Sequence, residues 1–151
     1  MKYKFEMYCN GANTKAACCK FTDTHYKKGD VPVKRNGVLR TGYYPEYKLF
    51  LNVIDFDVRD SEKGLNITHL PSALQKTMLV LTGSRGIHAY YWIKGLENKD
   101  DWYHNYQQAL PVPALLSEVK HIDTRTTGGK IFGPGTKFEG HPTTFKNITE
   151  W

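Results

Sequence analysis

The stretch Leu51-Asn-Val-Ile-Asp-Phe-Asp-Val58 places two carboxylates inside an otherwise apolar run. Its branched and aromatic side chains predict a buried strand over residues 48–58. Residues two apart in a strand share a face, so Asp55 and Asp57 would lie side by side, roughly 6.5–7 Å apart at Cα. Two such carboxylates repel each other unless a cation compensates their charge. Hard oxygen ligands select Mg²⁺, Mn²⁺ or Ca²⁺, so the stretch predicts a divalent-metal site.

Length and composition predict one soluble globular domain. The chain has 151 residues, of which 40% are hydrophobic and 24% are charged, and this balance is typical of a protein with a packed core. The sequence contains no apolar stretch near the ~20 residues of a membrane span, and its N-terminus lacks an apolar signal core. We therefore expect a cytoplasmic or otherwise intracellular protein without membrane contact. The three cysteines lack paired C-x-x-C spacing, so no zinc site is predicted.

The positive charge is concentrated in the first third of the chain. Residues 1–48 hold ten Lys or Arg against four Asp or Glu, whereas residues 49–151 hold eleven of each. A basic segment beside an acidic metal site suits a polyanion that is held by its phosphate backbone. A solvated lysine-rich surface would give the same charge pattern, and charge alone does not separate the two interpretations.

Sequence patterns along the chain predict an α+β fold with a mixed or antiparallel sheet. Strands at residues 77–81 and 87–93 flank the turn Thr82-Gly-Ser-Arg-Gly86 and predict a hairpin. The other predicted elements are short helices within 11–19 and 70–76, a loop or hairpin over 27–37 with a turn at Asn36-Gly37, helical composition over 99–120, an extended piece at 120–125 and a strand at 130–132.

Three polar clusters interrupt these apolar strands. They are the Asp55 and Asp57 pair, the segment Ser84-Arg-Gly-Ile-His88, and Asp123 before a glycine-rich turn. Each is weak alone, since a lone histidine in an aromatic strand is usually a structural residue. Together, three carboxylates could hold one or two Mg²⁺ ions beside substrate phosphates. The turn adds backbone N–H groups, a hydroxyl and a guanidinium that suit a triphosphate, and His88 could donate to a phosphate or a leaving group.

In order, Val53-Ile-Asp-Phe-Asp57, Ser84-Arg-Gly-Ile-His88 and His121-Ile-Asp-Thr-Arg-Thr-Thr-Gly-Gly-Lys-Ile-Phe-Gly-Pro-Gly135 resemble the motifs of the archaeo-eukaryotic primase superfamily. More narrowly, they are similar to the bifunctional primase–polymerase (Prim-Pol) domains of plasmid, phage and viral replication proteins. In that family the first motif is a metal-binding acidic pair. The second is a serine or glycine and a histidine that contact the incoming nucleotide, and the third is an aspartate that completes the metal site.

The resemblance implies a role for each motif residue. Asp55, Asp57 and Asp123 would bind two Mg²⁺ or Mn²⁺ ions, and His88 would join them as a catalytic residue. The residues implied in nucleotide binding are Ser84 and His88 by motif match, and Arg85 and Lys130 by proximity to the motifs.

The resemblance also implies an architecture and an activity. An RRM-like module of about residues 49–140 would carry the motifs and pack against a basic N-terminal α/β unit of about residues 1–48. The activity would be template-dependent nucleotidyl transfer, in which a DNA primase/polymerase extends or synthesises primers from (d)NTPs. Its partners would be single-stranded or primed DNA and a helicase or helical accessory domain. Because the chain ends soon after the third motif, it is expected to be either a minimal catalytic core or a fragment of a longer replication protein.

Within the basic N-terminal unit, Lys34, Arg35 and Arg40 are candidates for contacts with the template backbone. Two alternatives remain open at this point. A D-x-D pair at a strand end also occurs in metal-dependent glycosyltransferases, although 54 residues before the pair leave little room for their nucleotide-binding half. A non-catalytic nucleic-acid-binding module would bind the same polyanion without turnover.

Overall fold

The computed structural model describes residues 5–9, 12–18, 26–29, 36–70, 75, 77–94, 118–125 and 129–149. Within these ranges helix is limited to α1 (Lys15–Cys18) and a 3₁₀ turn at Ile67–His69, and strands dominate. The strands are β1 (Phe5–Cys9), β2 (Tyr26–Gly29), β3 (Gly37–Arg40), β4 (Gly42–Tyr44), β5 (Leu49–Val58), β6 (Met78–Leu81), β7 (Ile87–Lys94), β8 (Val119–Arg125), β9 (Lys130–Phe132) and β10 (Lys146–Thr149).

The described strands form two sheets in which every pairing is antiparallel. The first has the order β2-β1-β3-β9, and the second has the order β10-β6-β7-β5-β4 with β8 also on β5. The fold is therefore rich in antiparallel sheet with little helix. β4 joins the second sheet although it precedes residue 49, and β9, which lies within the third motif segment, joins the first sheet.

The predicted strand over residues 48–58 is confirmed as β5, which lies at the centre of the second sheet. Along one edge β5 pairs with β7, and along the other edge it pairs first with β4 and then with β8. Both faces are covered, which explains why its sequence is almost continuously apolar rather than alternating. The predicted hairpin is confirmed as β6 and β7, and the extended piece and last strand are confirmed as β8 and β9.

A hydrophobic core joins the two sheets. Leu39 and Ile131 of the first sheet pack in one cluster with Val53, Val80 and Tyr90 of the second. A second cluster covers the opposite face of the second sheet, and it contains Ile54, Phe56, Leu65, Leu70, Leu79, Ile87, Ala89 and Val119. The second sheet is thus held rigidly between two apolar layers, which fixes the polar residues that its strands carry.

In the N-terminal third, α1 lies within the predicted helical segment and begins after Thr14, whose side chain accepts a hydrogen bond from Ala17 N. Gly37 is the first residue of β3 rather than part of a hairpin turn, because β2 and β3 both pair with β1 and not with each other. The predicted helix at 70–76 falls almost entirely, and that at 99–120 largely, outside the described residues. None of the described helices is both long and apolar enough to cross a membrane.

Candidate functional site

The antiparallel register brings the three polar clusters of the sequence to one place on the second sheet. Asp55 of β5 lies directly opposite His88 of β7 on one side and directly opposite Asp123 of β8 on the other. Directly opposed residues project to the same face, with Cβ atoms about 4.5–5.5 Å apart. Asp57, two residues along β5, shares that face. Three segments far apart in sequence therefore present their polar residues side by side.

The closest contact in this group joins His88 and Asp55. His88 Nε2 lies 3.2 Å from Asp55 Oδ1, and their side chains are only 6% and 19% exposed. His88 Nδ1 is buried without a hydrogen-bond partner. The ring also lies beside Phe145, at 5.9 Å between centroids. In this arrangement His88 contacts the Asp55 carboxylate through Nε2, and this contact holds the carboxylate in one orientation.

Asp123 is adjacent to Asp55 by register, but its carboxylate contacts a cation on its own strand. Asp123 Oδ2 lies 2.6 Å from Arg125 Nη1, and Oδ1 accepts a hydrogen bond of 2.9 Å from Thr124 N. Within the described ranges, no three His, Cys, Asp or Glu side chains are grouped closely enough to hold a metal. The structure thus leaves Asp55 and Asp57 side by side on β5, with Asp55 in contact with His88, and directs the third predicted ligand towards Arg125.

The two carboxylates of β5 have opposite electrostatic responses to their surroundings. Burial alone would raise the pKa of Asp55, but His88, Arg125 and Lys15 together hold that pKa below its ordinary value. Burial and the neighbouring Asp55 charge raise the pKa of Asp57. Asp57 has no ion-pair partner among the described side chains. Asp57 is exposed, and its ionised form is disfavoured beside a second carboxylate. A bound cation would stabilise that ionised form.

The shift at Asp55 predicts a pH-dependent contribution to stability. Because the pKa of Asp55 is lower in the folded protein than in the unfolded chain, ionisation of Asp55 favours folding above the ordinary aspartate pKa of about 3.9. That contribution is lost as the pH falls through the folded-state pKa. We expect the difference in unfolding free energy between wild type and Asp55→Asn to change in this acidic range, with wild type losing relative stability. Urea unfolding of both proteins across a pH series measures the difference, and a pH-independent difference would contradict the prediction.

A cleft of about 230 Å³ opens beside this face of the sheet. It collects three cationic side chains, Lys15 from α1, Arg125 from β8 and Lys130 from β9, around the carboxylates of β5. Its remaining lining residues are Thr82, Ser84, His88, Ile131, Phe132, His141 and Phe145. Cations around a carboxylate pair suit a ligand that carries several phosphates, because one part of the ligand can meet a divalent cation while the rest meets the protein's own charges.

The two residues of the β6–β7 hairpin turn that were predicted to bind nucleotide, Ser84 and Arg85, have different surroundings. Ser84 is exposed and lines the cleft. Arg85 adopts φ +65 and donates from Nη1 to the carbonyls of Ser61 and Glu62, at 3.1 Å each. Arg85 therefore braces the loop after β5, and it does not line the cleft as nucleotide binding would require.

The turn also approaches β5 very closely at Gly86. A Cβ at this position would lie 2.4 Å from the carbonyl oxygen of Phe56. Thr82 closes the turn, since its N–H donates to Gly86 O at 2.9 Å and its hydroxyl accepts from Gly86 N at 3.0 Å. Glycine is thus required here for close packing, and this packing sets where β7 begins and where His88 lies.

The predicted template contacts are only partly described. Lys34 and Arg35 lie outside the described residues. Arg40 donates from Nη1 to Tyr43 O at 3.0 Å, and its guanidinium carbon lies 4.2 Å from the centroid of the Tyr44 ring. Arg40 is therefore engaged in local contacts, while Lys130, its register partner on β9, lines the cleft.

Three charged or titratable cleft residues received no role from the sequence. Arg125 stood inside the third motif, and its parity with Asp123 on β8 could have placed it on this face. Lys15 and His141 carried no comparable signal, because their positions depend on how α1 and the segment after β9 pack against the second sheet.

Comparison with known proteins adds no further constraint. No protein-family model, no curated protein and no solved structure matches this chain. Inferences about function therefore rest on the site itself, and in particular on the register of β5, β7 and β8 together with the charges that surround the cleft.

Proposed function

We propose that this protein is a divalent-metal-dependent nucleotidyltransferase that extends a primer on a nucleic-acid template by phosphoryl transfer from (d)NTPs. The observation that supports it most directly is the cross-strand register of Asp55 with both His88 and Asp123. The three segments that resemble Prim-Pol motifs lie on neighbouring strands, as motifs that contribute to one site would. The proposed fold is the corresponding RRM-like sheet packed against the N-terminal unit.

The donor set on β5 fits a divalent cation. Mg²⁺ is commonly held by one or two carboxylates together with substrate phosphates rather than by a complete protein cage. Asp55 and Asp57 would supply the carboxylates, and the pKa of Asp57 is raised by burial and by the neighbouring Asp55 charge, which the cation would offset. When bound, Mg²⁺ or Mn²⁺ would supply Lewis-acid activation of the primer hydroxyl and neutralise charge on the leaving pyrophosphate.

The side chains of the cleft would bind the substrate phosphates and orient the carboxylates. Lys15, Arg125 and Lys130 line the cleft and would neutralise the phosphates, and Ser84 would add a hydroxyl donor. His88 would keep Asp55 oriented through its 3.2 Å contact. Asp123 would contribute by holding the Arg125 guanidinium at the cleft. The proposed partners are single-stranded or primed DNA and, as in the Prim-Pol proteins that the motifs resemble, a helicase or helical accessory domain inside the cell.

A primer-extension assay tests this function. We expect the protein, supplied with Mg²⁺ or Mn²⁺, to lengthen a labelled primer annealed to single-stranded DNA, with incorporation that follows the template base. Omitting the template or adding EDTA should abolish extension. Hydrolysis of sugar nucleotides without any use of dNTPs would favour the glycosyltransferase alternative, and template binding without incorporation would favour a non-catalytic module.

Metal binding has a separate test that does not depend on activity. We expect Mn²⁺ or Mg²⁺ to raise the melting temperature of the wild type, because a cation that binds only the folded state stabilises it by mass action. The Asp55→Asn/Asp57→Asn variant should melt at the same temperature with and without the cation. An equal metal-induced rise in both proteins would show that the cation binds elsewhere.

A further inference from the structure

His141 is held at the cleft by the segment that follows β9. Its backbone N–H donates to Phe138 O at 3.3 Å, and its carbonyl accepts a hydrogen bond from Lys137 Nζ. Two residues later, Thr143 N donates to Gly83 O at 3.2 Å, which ties the segment to the hairpin turn that carries Ser84. These contacts fix the imidazole beside the turn, and His141 shares the cleft with Asp55 and Asp57.

The His141 imidazole packs against Gly83, in space that any side chain at that position would occupy. A Cβ on Gly83 would lie 2.6 Å from His141 Nδ1, so the ring rests directly against the glycine. Nδ1 is buried without a hydrogen-bond partner. Nε2 is not buried in this way, so it is the ring atom available to a ligand in the cleft.

The charges around His141 explain how it would act. Burial, Lys15 and Lys137 each lower the pKa of His141, so the imidazole is neutral near neutral pH. Other charged or titratable groups of the cleft come from β5, β7, β8 and β9, namely Asp55, Asp57, His88, Arg125 and Lys130. Attraction of a polyanion would therefore come from the lysines and Arg125. The imidazole would add one directed N–H donor, as the Nε2–H tautomer allows.

We propose that His141 binds the outer phosphates of the substrate through Nε2, beside Lys15 and Ser84. The inference rests on the proposed function, because it assigns the residue to the phosphate-bearing end of the same ligand. His88 is a poorer candidate for this contact, since its Nε2 is already engaged with Asp55 and its Nδ1 is buried. The two histidines of the cleft would therefore have different partners.

Inorganic pyrophosphate is the probe, with affinity measured by calorimetry in the presence of Mg²⁺. His141→Ala is expected to weaken binding about tenfold, the usual effect of removing a hydrogen bond to a charged group. His141→Gln should recover part of the affinity, because its amide N–H can reach a position near that of Nε2. His69→Gln is the matched control. His69 accepts from Asn66 N in a 3₁₀ cap, a contact that glutamine can also make, and binding should be unchanged.

Gly83→Ala provides a second route that removes no polar group. Its new methyl would displace the His141 ring, so pyrophosphate binding should weaken by a similar factor. The combined Gly83→Ala/His141→Ala variant should lose little more than either single variant, because both changes remove one contact. If folded His141→Ala binds pyrophosphate as tightly as wild type, or if the two single losses multiply in the double variant, the proposal is wrong. Should His141→Ala fail to fold, unchanged affinity in folded Gly83→Ala has the same consequence.

The assignment and the proposed function can fail separately. Pyrophosphate binding that depends on His141, in a protein that never extends a primer, would overturn the polymerase function and leave a polyphosphate contact. Primer extension by His141→Ala with unchanged kcat and KM for dNTPs would overturn the assignment and leave the function intact.

Discussion

Replacing Asp55 and Asp57 together with alanine is expected to lower the rate of primer extension at least about a thousandfold. The two carboxylates form the only side-chain pair on β5 that could hold a cation, and metal-ion stabilisation of phosphoryl transfer is worth several kcal/mol. Each 1.36 kcal/mol of lost transition-state stabilisation is tenfold in rate. Single-turnover extension with saturating Mg²⁺ or Mn²⁺ measures the loss.

Two further variants make this result interpretable. Asp55→Asn/Asp57→Asn keeps the side-chain volumes and a possible contact to His88, so it separates loss of charge from loss of packing. Asp60→Ala is the matched carboxylate control, because Asp60 lies in the exposed loop just beyond β5 and accepts a hydrogen bond from Glu62 N within that loop. Asp60→Ala should extend primers normally. Equal extension by wild type and the double alanine variant would end the polymerase proposal.

Gly86→Ala is expected to destabilise the protein by about 3 kcal/mol, at the upper end of what overpacking costs. The new Cβ would lie 2.4 Å from Phe56 O, which is a backbone atom of β5 and cannot rotate away. Relief would require the turn to move off β5, and His88 would then leave its contact with Asp55. We therefore expect chemical denaturation to show the stability loss and primer extension to fall in the folded fraction.

Gly140→Ala provides the comparison for this change. A Cβ at Gly140 meets no atom within 4 Å, but the residue has φ +79, so the only cost is backbone strain of about 1 kcal/mol. The comparison separates a steric clash from a conformational penalty at glycine. Similar losses of unfolding free energy in the two variants would show that the close approach at Phe56 has little energetic weight.

Much of the second sheet was predictable from sequence because its signals are local. An apolar run with few breaks identified β5, and two β-rich runs around a glycine-containing turn identified β6 and β7. Parity along β5 correctly placed Asp55 and Asp57 on one face. The resemblance to primase motifs gave the order of the segments, although it did not state that Asp55 would lie opposite both His88 and Asp123.

The remaining features depend on contacts that no local pattern encodes. The alternation of side chains along a strand assigns Asp123 to a face. It does not show that Arg125, two residues away on that face, would form an ion pair with the Asp123 carboxylate. Arg85 adopts a left-handed backbone conformation and its guanidinium donates to the loop after β5, neither of which a local sequence pattern indicates. Lys15 and His141 reach the cleft only through packing of α1 and the segment after β9, where the sequence shows a lone lysine and a lone histidine.

The pairing of β5 along both edges has a consequence for how the cleft can adapt. Its backbone amides and carbonyls are held by β7 on one side and by β4 and β8 on the other, so the two carboxylates are carried by a strand whose backbone is restrained along both edges. Accommodation of differently sized ligands would fall to the periphery, where Lys15 and His141 reach the cleft from outside the strands of the second sheet. Selection for a new substrate would therefore act first on those borders and leave the central strand unaltered.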